Sequence, residues 1–96
     1  MSEKQIEKAL VKAVKDAGGL CLKWVSPGWD GVPDRIVLFG DDCFGRIGFV
    51  EVKAHGGRVR KIQQIRHKQL RDMGFRVFIL NDPKNIPMII EEIKEY

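Results

Sequence analysis

The stretch that decides the fold is RIVLFGDDCFGRIGFVEVK, residues 35–53. Residues 35–39 and 47–53 are rich in valine, isoleucine and phenylalanine, a composition that is typical of β-strands. The residues between them, 40–45, include glycines and aspartates, which favour turns. This pattern predicts an antiparallel hairpin of two strands, around which the rest of the chain is arranged.

The chain before the hairpin predicts a helix, a strand and a loop. Ser2, with Gln5 three residues later, fits a capping box, so we expect a helix that begins directly after Ser2. The glycine pair at residues 18–19 is expected to end it. Residues 20–25 are predicted to form a strand. Residues 26–33, SPGWDGVP, are rich in turn formers and are expected to have no regular structure.

The chain after the hairpin predicts a helix, a strand and a final helix. Residues 61–73 have apolar side chains at helical spacing, and Gly74 follows them as a terminator. Residues 76–80 are predicted to form a strand and residues 86–94 the last helix, with Pro87 in its first turn. A helix between the third and fourth strands favours a crossover, which makes the fourth strand parallel to a strand already in the sheet. The apolar positions of the second predicted helix are Ile62, Ile65, Leu70 and Met73.

Together these elements predict an α/β fold with the order αβββαβα. Such a fold is a small mixed β-sheet flanked by helices. With 96 residues, the chain has room for one hydrophobic core and none to spare for a second. We therefore expect a single domain over residues 1–96.

The composition argues against several classes of protein. No apolar run approaches the roughly 20 residues needed to cross a bilayer, and the first residues lack the apolar segment of a signal peptide. Cys21 and Cys43 are too few and too far apart in sequence for a disulfide scaffold or a paired-cysteine metal site. We expect a reduced, cytoplasmic protein without a membrane partner.

The positive charge of the chain is concentrated in one stretch. The formal net charge is +4 at pH 7, and residues 52–71 contain seven lysines and arginines but no aspartate or glutamate. An acid-free basic stretch of this length favours a polyanionic partner, most often nucleic acid. The alternative is a solvated face that is balanced by the acidic residues near the C-terminus.

Two carboxylates and a lysine near the hairpin indicate catalytic chemistry. Asp34 follows the rigid turn residue Pro33 and precedes a strand. Glu51 and Lys53 are two residues apart on a strand, so their side chains point to the same face. Carboxylates and an ammonium on one face can bind a hard divalent cation such as Mg²⁺ together with a nucleophilic water. The alternative is a cross-strand salt bridge on a solvated face.

Two further polar positions are less specific. Glu7 lies on the apolar stripe of the first helix, where a carboxylate is costly unless it is paired or binds a metal. The alternative is that Glu7 lies at the edge of the stripe, where it reaches water or pairs with Lys4 or Lys8. Gln63 lies near the start of the second helix, and helix N-termini favour phosphate. The alternative for Gln63 is an ordinary place on the surface.

At these residues the chain resembles a known family. The segments GVPDRIVL (31–38), FVEVKA (49–54) and GGR (56–58), followed by Gln63, resemble the VRR-NUC (virus-type replication-repair nuclease) domain. The segment KWVSPG (23–28) also fits. VRR-NUC domains belong to the PD-(D/E)xK nuclease superfamily, and the resemblance covers nearly the whole chain. It implies a PD-(D/E)xK restriction-endonuclease-like core in the stand-alone form.

The resemblance implies a role for each matched residue on the strands. Asp34 and Glu51 would bind Mg²⁺ or Mn²⁺, with help from the backbone carbonyl of Val52. Lys53 would position or activate the attacking water. Metal and lysine together would stabilise charge on the scissile phosphate.

The resemblance also implies roles for residues outside the strands. Glu7 would act on the metal directly or through a water, with Glu3 as the rival candidate. Gln63 would support the site or a phosphate. The candidates for contacts with DNA are Lys23, Ser26, Arg58, Arg60, Lys61 and Arg66.

Three residues near the motif have other interpretations. His67 has no partner at metal-ligand spacing, so we expect it on the exposed surface of the second helix. Trp29 lies in a loop, where it can stack on an unpaired base or pack against a dimer partner. Ser26 can either bond a phosphate or cap the turn.

These inferences predict a metal-dependent, structure-selective DNA endonuclease of replication, recombination or repair in a phage or bacterium. One small domain offers little surface for base readout, so we expect it to recognise DNA shape and phosphates. The resemblance favours branched DNA such as Holliday junctions, cut by a homodimer. The alternatives are a non-catalytic nucleic-acid-binding module on a nuclease scaffold and a sequence-specific restriction nuclease.

Overall fold

A computed structural model describes residues 1–40 and 44–95 of the chain. In this part the order of elements is αβββαβα, as predicted, and a short 3-10 helix, Pro83–Asn85, precedes the last α-helix where only a turn was expected. The elements are α1 Glu3–Asp16, β1 Leu20–Lys23, β2 Arg35–Phe39, β3 Arg46–Val52, α2 Lys61–Asp72, β4 Arg76–Leu80 and α3 Ile86–Lys94. Within the predicted turn between β2 and β3, Asp41, Asp42 and Cys43 lie outside the described residues. Among the residues described, no helix is both long and apolar enough to cross a membrane.

The strands form one mixed sheet in the order β1-β2-β3-β4. β2 runs antiparallel to both β1 and β3, whereas β4 is parallel to β3. The predicted hairpin and the predicted parallel crossover are therefore confirmed. The ladder pairs Arg35 with Val50, and the same register continued by one residue sets Asp34 opposite Glu51. The two acidic residues of the motif thus meet where β2 begins and β3 ends.

β1 ends at Lys23, earlier than the predicted strand. Its partner β2 begins at Arg35, directly opposite Lys23. One further bond follows, from the Trp24 amide to the Asp34 carbonyl at 3.0 Å. Beyond it the turn-forming loop offers no strand to pair with, because its prolines and glycines do not extend the ladder. Val25 is accordingly 72% exposed.

The larger core lies between one face of the sheet and the helices α1 and α3. The Ser2 hydroxyl accepts a bond from the Gln5 amide, and the Gln5 side chain accepts one from the Ser2 amide, so the predicted capping box starts α1. Most of the buried apolar surface, and hence most of the hydrophobic stabilisation, is on this side. Its buried side chains are Ile6, Leu10, Val14, Val37, Phe39, Val50, Val52, Leu80, Ile86, Ile89 and Ile93.

α2 packs on the opposite face of the sheet, and its buried side differs from the predicted one. Of its apolar residues, Ile65 is 44% exposed and Met73, at its C-terminal cap, is 64% exposed. The buried side chains of α2 are Leu70, one of the predicted apolar positions, together with Gln63 and His67. The apolar spacing was misleading because the inner side of this helix faces polar groups of β3. Beneath α2 the buried apolar cluster contains Phe49, Leu70 and Val77.

Residues 26–33 form the loop that leads from β1 into Asp34, and this loop lies against α2. Gly31 has a φ of +85°, in the left-handed region that glycine adopts without steric cost. A Cβ atom at this position would lie 2.9 Å from the carbonyl oxygen of Ile62 in α2. The loop therefore approaches the helix more closely than any larger residue at position 31 would allow.

Gly31→Ala tests this close approach. We expect the substitution to lower the free energy of unfolding by about 2–4 kcal/mol, because it combines a strained φ with a backbone clash. Urea denaturation followed by circular dichroism measures the change. Gly28→Ala is the matched control in the same loop, since a Cβ at position 28 meets nothing within 4 Å. An equal loss of stability in both variants would contradict the explanation.

Candidate active site

Asp34 and Glu51 lie side by side on neighbouring strands. Directly opposite residues of an antiparallel pair point to the same face, and here that face is the one covered by α2. The Asp34 Oδ2 atom accepts a hydrogen bond of 2.7 Å from the Val52 amide. The carboxylate of Asp34 is thereby fixed to the end of β3, next to Glu51.

The carboxylate of Glu51 is buried under α2, with only 1% of the residue exposed. The Gln63 Nε2 atom donates to Glu51 Oε2 at 3.1 Å. The His67 Nε2 atom lies 3.3 Å from Glu51 Oε1, at hydrogen-bond distance. Both oxygens are therefore held from the same helix, which fixes the orientation of the carboxylate.

The pKa of Glu51 is raised from an ordinary 4.5 to about 8, and burial is the largest cause. The negative charge of Asp34 and a hydrogen bond with its side chain contribute to this rise, while the Lys53 charge opposes it. Near neutral pH this carboxyl group therefore tends to keep a proton. A cation placed between Asp34 and Glu51 would oppose the raised pKa, because it would favour the ionised form of both groups.

Lys53 lies on the same face as Glu51, as the strand pattern predicted. Its Nζ atom is 3.7 Å from Glu51 Oε2, and its side chain is largely buried. The Lys53 amide donates to the Leu80 carbonyl at 2.9 Å, which joins the end of β3 to β4. The ammonium group is therefore held beside the two carboxylates by the sheet itself.

His67 is buried, and the expectation that it lies on an exposed helix surface was wrong. Burial, followed by the positive charges of Arg71 and Lys53, lowers the pKa of His67. The imidazole is therefore neutral at neutral pH. His67 lies four residues after Gln63, on the same side of α2. That spacing was the available signal, but it becomes informative only once Gln63 is known to face the site.

Gln63 belongs to the site and not to the ordinary surface. Besides its bond to Glu51, its Oε1 atom accepts from the Arg60 amide at 2.8 Å. This second bond satisfies an amide at the start of α2, where helices leave amides unpaired. Gln63 therefore ties the beginning of the helix to the carboxylate.

Glu7 and Glu3 occupy different surroundings on α1. The Arg35 Nε atom donates to Glu7 Oε2 at 2.7 Å, so the partner of Glu7 is Arg35 and not Lys4 or Lys8. Arg35 follows Asp34 on the strand and therefore points to the opposite face, toward α1. The charge of Glu3, by contrast, contributes to the raised pKa of Glu51. The structure thus brings Glu3 into electrostatic reach of Glu51, while Glu7 is bound to Arg35; the metal role of Glu7 stays a prediction.

The residues predicted to contact DNA fall into two groups. The first has exposed side chains: Lys23 at the end of β1, and Arg58, Arg60 and Lys61 around the start of α2. The second consists of Ser26, which is half-buried, and Arg66, whose guanidinium contacts other parts of the protein. Their role in binding DNA stays a prediction.

The donor set of this site suits a hard cation better than a closed metal centre. In the part of the chain that the structure describes, no three histidine, cysteine, aspartate or glutamate residues are grouped as a metal cluster. Mg²⁺ commonly binds through one or two carboxylates and keeps several waters. Asp34, Glu51 and the carbonyl of Val52 fit that requirement, and the Lys53 ammonium only partly opposes the raised pKa of Glu51.

The pKa of Glu51 predicts a pH-dependent stability of the metal-free protein. The folded pKa is raised, so the unfolded chain loses this proton near pH 4.5 while the folded protein keeps it to about pH 8. The contribution of Glu51 to the free energy of unfolding is therefore complete at acid pH. It declines as the pH rises from about 4.5 to about 8, by up to about 1.4 kcal/mol per pH unit. Urea denaturation in EDTA at pH 5.5, 6.5 and 7.5 measures it. Glu51→Gln should remove this component of the slope, and an unchanged slope would contradict the prediction.

Comparisons with known proteins show which family the chain belongs to. No family model matches the chain. A curated relative named "Putative nuclease p44", from Acyrthosiphon pisum secondary endosymbiont phage 1, is 40% identical over 91 residues, covering 95% of this chain and 94% of the relative. A solved structure described as a VRR_NUC domain has a TM-score of 0.82 and 26% identity, with 100% of both chains covered. Sequence and fold are thus shared over almost the full length, and the chain belongs to the VRR-NUC family of nucleases.

Proposed function

We propose that this protein is a divalent-metal-dependent endonuclease that hydrolyses phosphodiester bonds in DNA, with branched DNA such as Holliday junctions as its substrate. The observation that carries the proposal is the buried Glu51 carboxylate beside Asp34, with Lys53 on the same face. Such a pair is unfavourable by itself and becomes favourable when a cation binds. Strongly shifted pKa values of this kind are concentrated at functional sites.

Mg²⁺ or Mn²⁺ is the cation that this donor set supports. Asp34, Glu51 and the backbone carbonyl of Val52 would hold it. When bound, the cation stabilises negative charge on the scissile phosphate and lowers the pKa of a water. On α1, Glu3 is supported by its effect on the pKa of Glu51. Glu7 is the other candidate, acting directly or through a water, and would first have to leave Arg35.

The remaining polar side chains would orient the reacting groups. The Lys53 ammonium would position the attacking water and stabilise charge on the phosphate. Gln63 and His67 would hold Glu51 in one orientation from α2. Groups that orient a metal ligand in this way commonly change metal affinity or activity by about 10–100-fold.

DNA would be bound through its phosphates at the positive surface around the start of α2. Arg58, Arg60 and Lys61 are exposed there, and Lys23 adds a further exposed charge at the end of β1. Ser26 is a weaker candidate because it is half-buried. Contacts of this kind give affinity and register but carry little sequence information. We therefore expect the protein to recognise the shape of DNA through the positions of its phosphates.

A homodimer would suit a branched substrate. Among the residues described, one chain contributes one such site. Two sites related by a two-fold axis would cut two strands of a junction symmetrically. We place the activity in replication, recombination or repair, in the cytoplasm of a bacterium or phage-infected cell. The phage origin of the relative supports this setting.

A non-catalytic nucleic-acid-binding module is the second candidate, favoured by the basic surface alone. Phosphate binding, however, does not require a carboxylate that is buried and kept from ionising. The negative charge of Asp34 near a bound phosphate would also repel it. The nuclease interpretation gives Asp34 and Glu51 a role in binding the metal, whereas the binding module gives them none.

Cleavage of a labelled four-way junction tests the proposed activity. A 5′ flap and a linear duplex serve as comparison substrates, each with Mg²⁺, Mn²⁺ or EDTA. We expect paired nicks near the junction centre that require the metal. Asp34→Asn and Lys53→Ala should reduce the rate by about 10²–10⁴-fold, because each removes a group that acts on the reacting atoms.

Lys12→Ala is the matched control for the loss of a lysine. Lys12 is exposed on α1 and pairs with Asp16, away from the site. Its rate should equal that of the wild type. Equal cleavage by wild type and Lys53→Ala would overturn the assigned site. Binding of the junction without cleavage in either metal would favour the binding module. Discrete fragments from linear duplex would indicate a restriction nuclease.

The predicted homodimer has its own measurement. Sedimentation velocity at micromolar concentration should give a particle of twice the chain mass of 11.0 kDa. The run is made without DNA, because a junction can bring two monomers together. A particle of single-chain mass over the whole concentration range would contradict the dimer.

A further inference from the structure

We propose that Arg66 is a positioning residue, whose guanidinium fixes the loop of residues 26–33 to α2 and thereby holds Asp34 beside Glu51. It is not primarily a ligand for DNA phosphate. The proposal rests on the proposed function only where a metal is concerned, since the contacts that carry it belong to the protein alone.

The guanidinium of Arg66 is engaged on several sides. Its Nε atom donates to the carbonyl oxygen of Asp30 at 2.7 Å. Its carbon centre lies 4.6 Å from the ring centroid of Trp29, the geometry of a cation–π contact. Its Nη1 atom donates to Gln69 Oε1 at 3.1 Å. Two of these contacts join α2 to consecutive residues of the loop.

Contacts of Trp29 and Trp24 connect the Arg66 guanidinium to Asp34. The rings of Trp29 and Trp24 are 6.4 Å apart between centroids, and Trp24 packs on Phe49 of β3 at 4.9 Å. The Trp24 amide donates to the Asp34 carbonyl at 3.0 Å. Between Trp29 and Asp34, the close approach of Gly31 to Ile62 holds the chain against the helix. The backbone of Asp34 is thus fixed from both ends of the loop.

One helix therefore supports both carboxylates, in addition to the strand pairing that sets Asp34 opposite Glu51. Gln63 and His67 hold Glu51, and Arg66 is the residue directly before His67. Successive residues of a helix point to adjoining sides, so α2 presents one side to Glu51 and the next to the loop. A rigid helix with both attachments keeps the distance between Asp34 and Glu51 constant.

Arg66→Lys separates positioning from phosphate binding. Lysine keeps the positive charge, and so a phosphate contact, but it lacks the planar group that stacks on Trp29 while donating to Asp30. The first readout is amide hydrogen exchange by NMR in EDTA, without DNA. We expect exchange of the Val52 amide, which donates to Asp34 Oδ2, to accelerate at least about tenfold.

The Lys53 amide is the internal control for this measurement. It lies on the same strand but bonds to the Leu80 carbonyl of β4, which does not depend on the loop. Its exchange should be unchanged. Trp29→Leu, which removes the ring beneath the guanidinium, should accelerate Val52 in the same way, and it serves if Arg66→Lys does not fold. Lys12→Ala should leave both amides unchanged.

The second readout is calorimetric titration with Mn²⁺ alone. Arg66→Lys and Arg66→Ala should both bind Mn²⁺ about 10–100-fold more weakly than the wild type, as expected when a ligand loses its support. Affinity for a four-way junction in EDTA should change less than about twofold in both, since a phosphate contact is not lost.

The proposal is overturned by an unchanged exchange rate at Val52, or by equal acceleration at Val52 and Lys53, which would mean general loosening. A junction affinity that falls in Arg66→Ala and returns in Arg66→Lys would assign Arg66 to phosphate instead. A wild type that binds no Mn²⁺ would contradict the proposed function. In that case the Val52 amide still decides the positioning role, because that readout involves no metal.

Discussion

The buried carboxylate of Glu51 is the constraint on which the rest of the site depends. A carboxylate removed from water must be neutralised, hydrogen-bonded or paired with a cation. Here α2 supplies bonds to both oxygens, and Lys53 approaches to 3.7 Å. The inner side of α2 is consequently polar at positions where an ordinary amphipathic helix would be apolar. The contacts of Gln63 and His67 with Glu51 therefore hold α2 on the sheet together with its apolar residues.

The fold tolerates a polar helix because the two faces of the sheet carry unequal cores. The face toward α1 and α3 contains the larger buried cluster, and the face toward α2 contains Phe49, Leu70 and Val77 with partly buried aromatic neighbours. The free energy of unfolding of a domain is only about 5–15 kcal/mol. A buried carboxyl group inside the larger core would therefore remove a large part of it. At the edge of the smaller cluster, the same group costs the fold less.

The parts of the site that could be predicted are those governed by local strand geometry. Alternation along a strand places Glu51 and Lys53 on one face, and the hairpin brings Asp34 opposite Glu51. His67 could not be placed, because its burial depends on which side of α2 faces β3, and the isoleucines indicated the wrong side. The partner of Glu7 is Arg35, 28 residues away. No local pattern distinguishes such a contact from the nearer lysines.

In the metal-free site, two carboxyl groups lie side by side and cannot both ionise without repulsion. Burial and the Asp34 charge raise the pKa of Glu51 to about 8, so the folded protein keeps a proton there near neutral pH. A divalent cation would displace that proton and turn the repulsion between Asp34 and Glu51 into a shared attraction. The strands and α2 already hold both carboxylates, so binding would cost little ordering of side chains. In the proposed function, the stability that this pair costs the metal-free protein is therefore recovered when the cation binds.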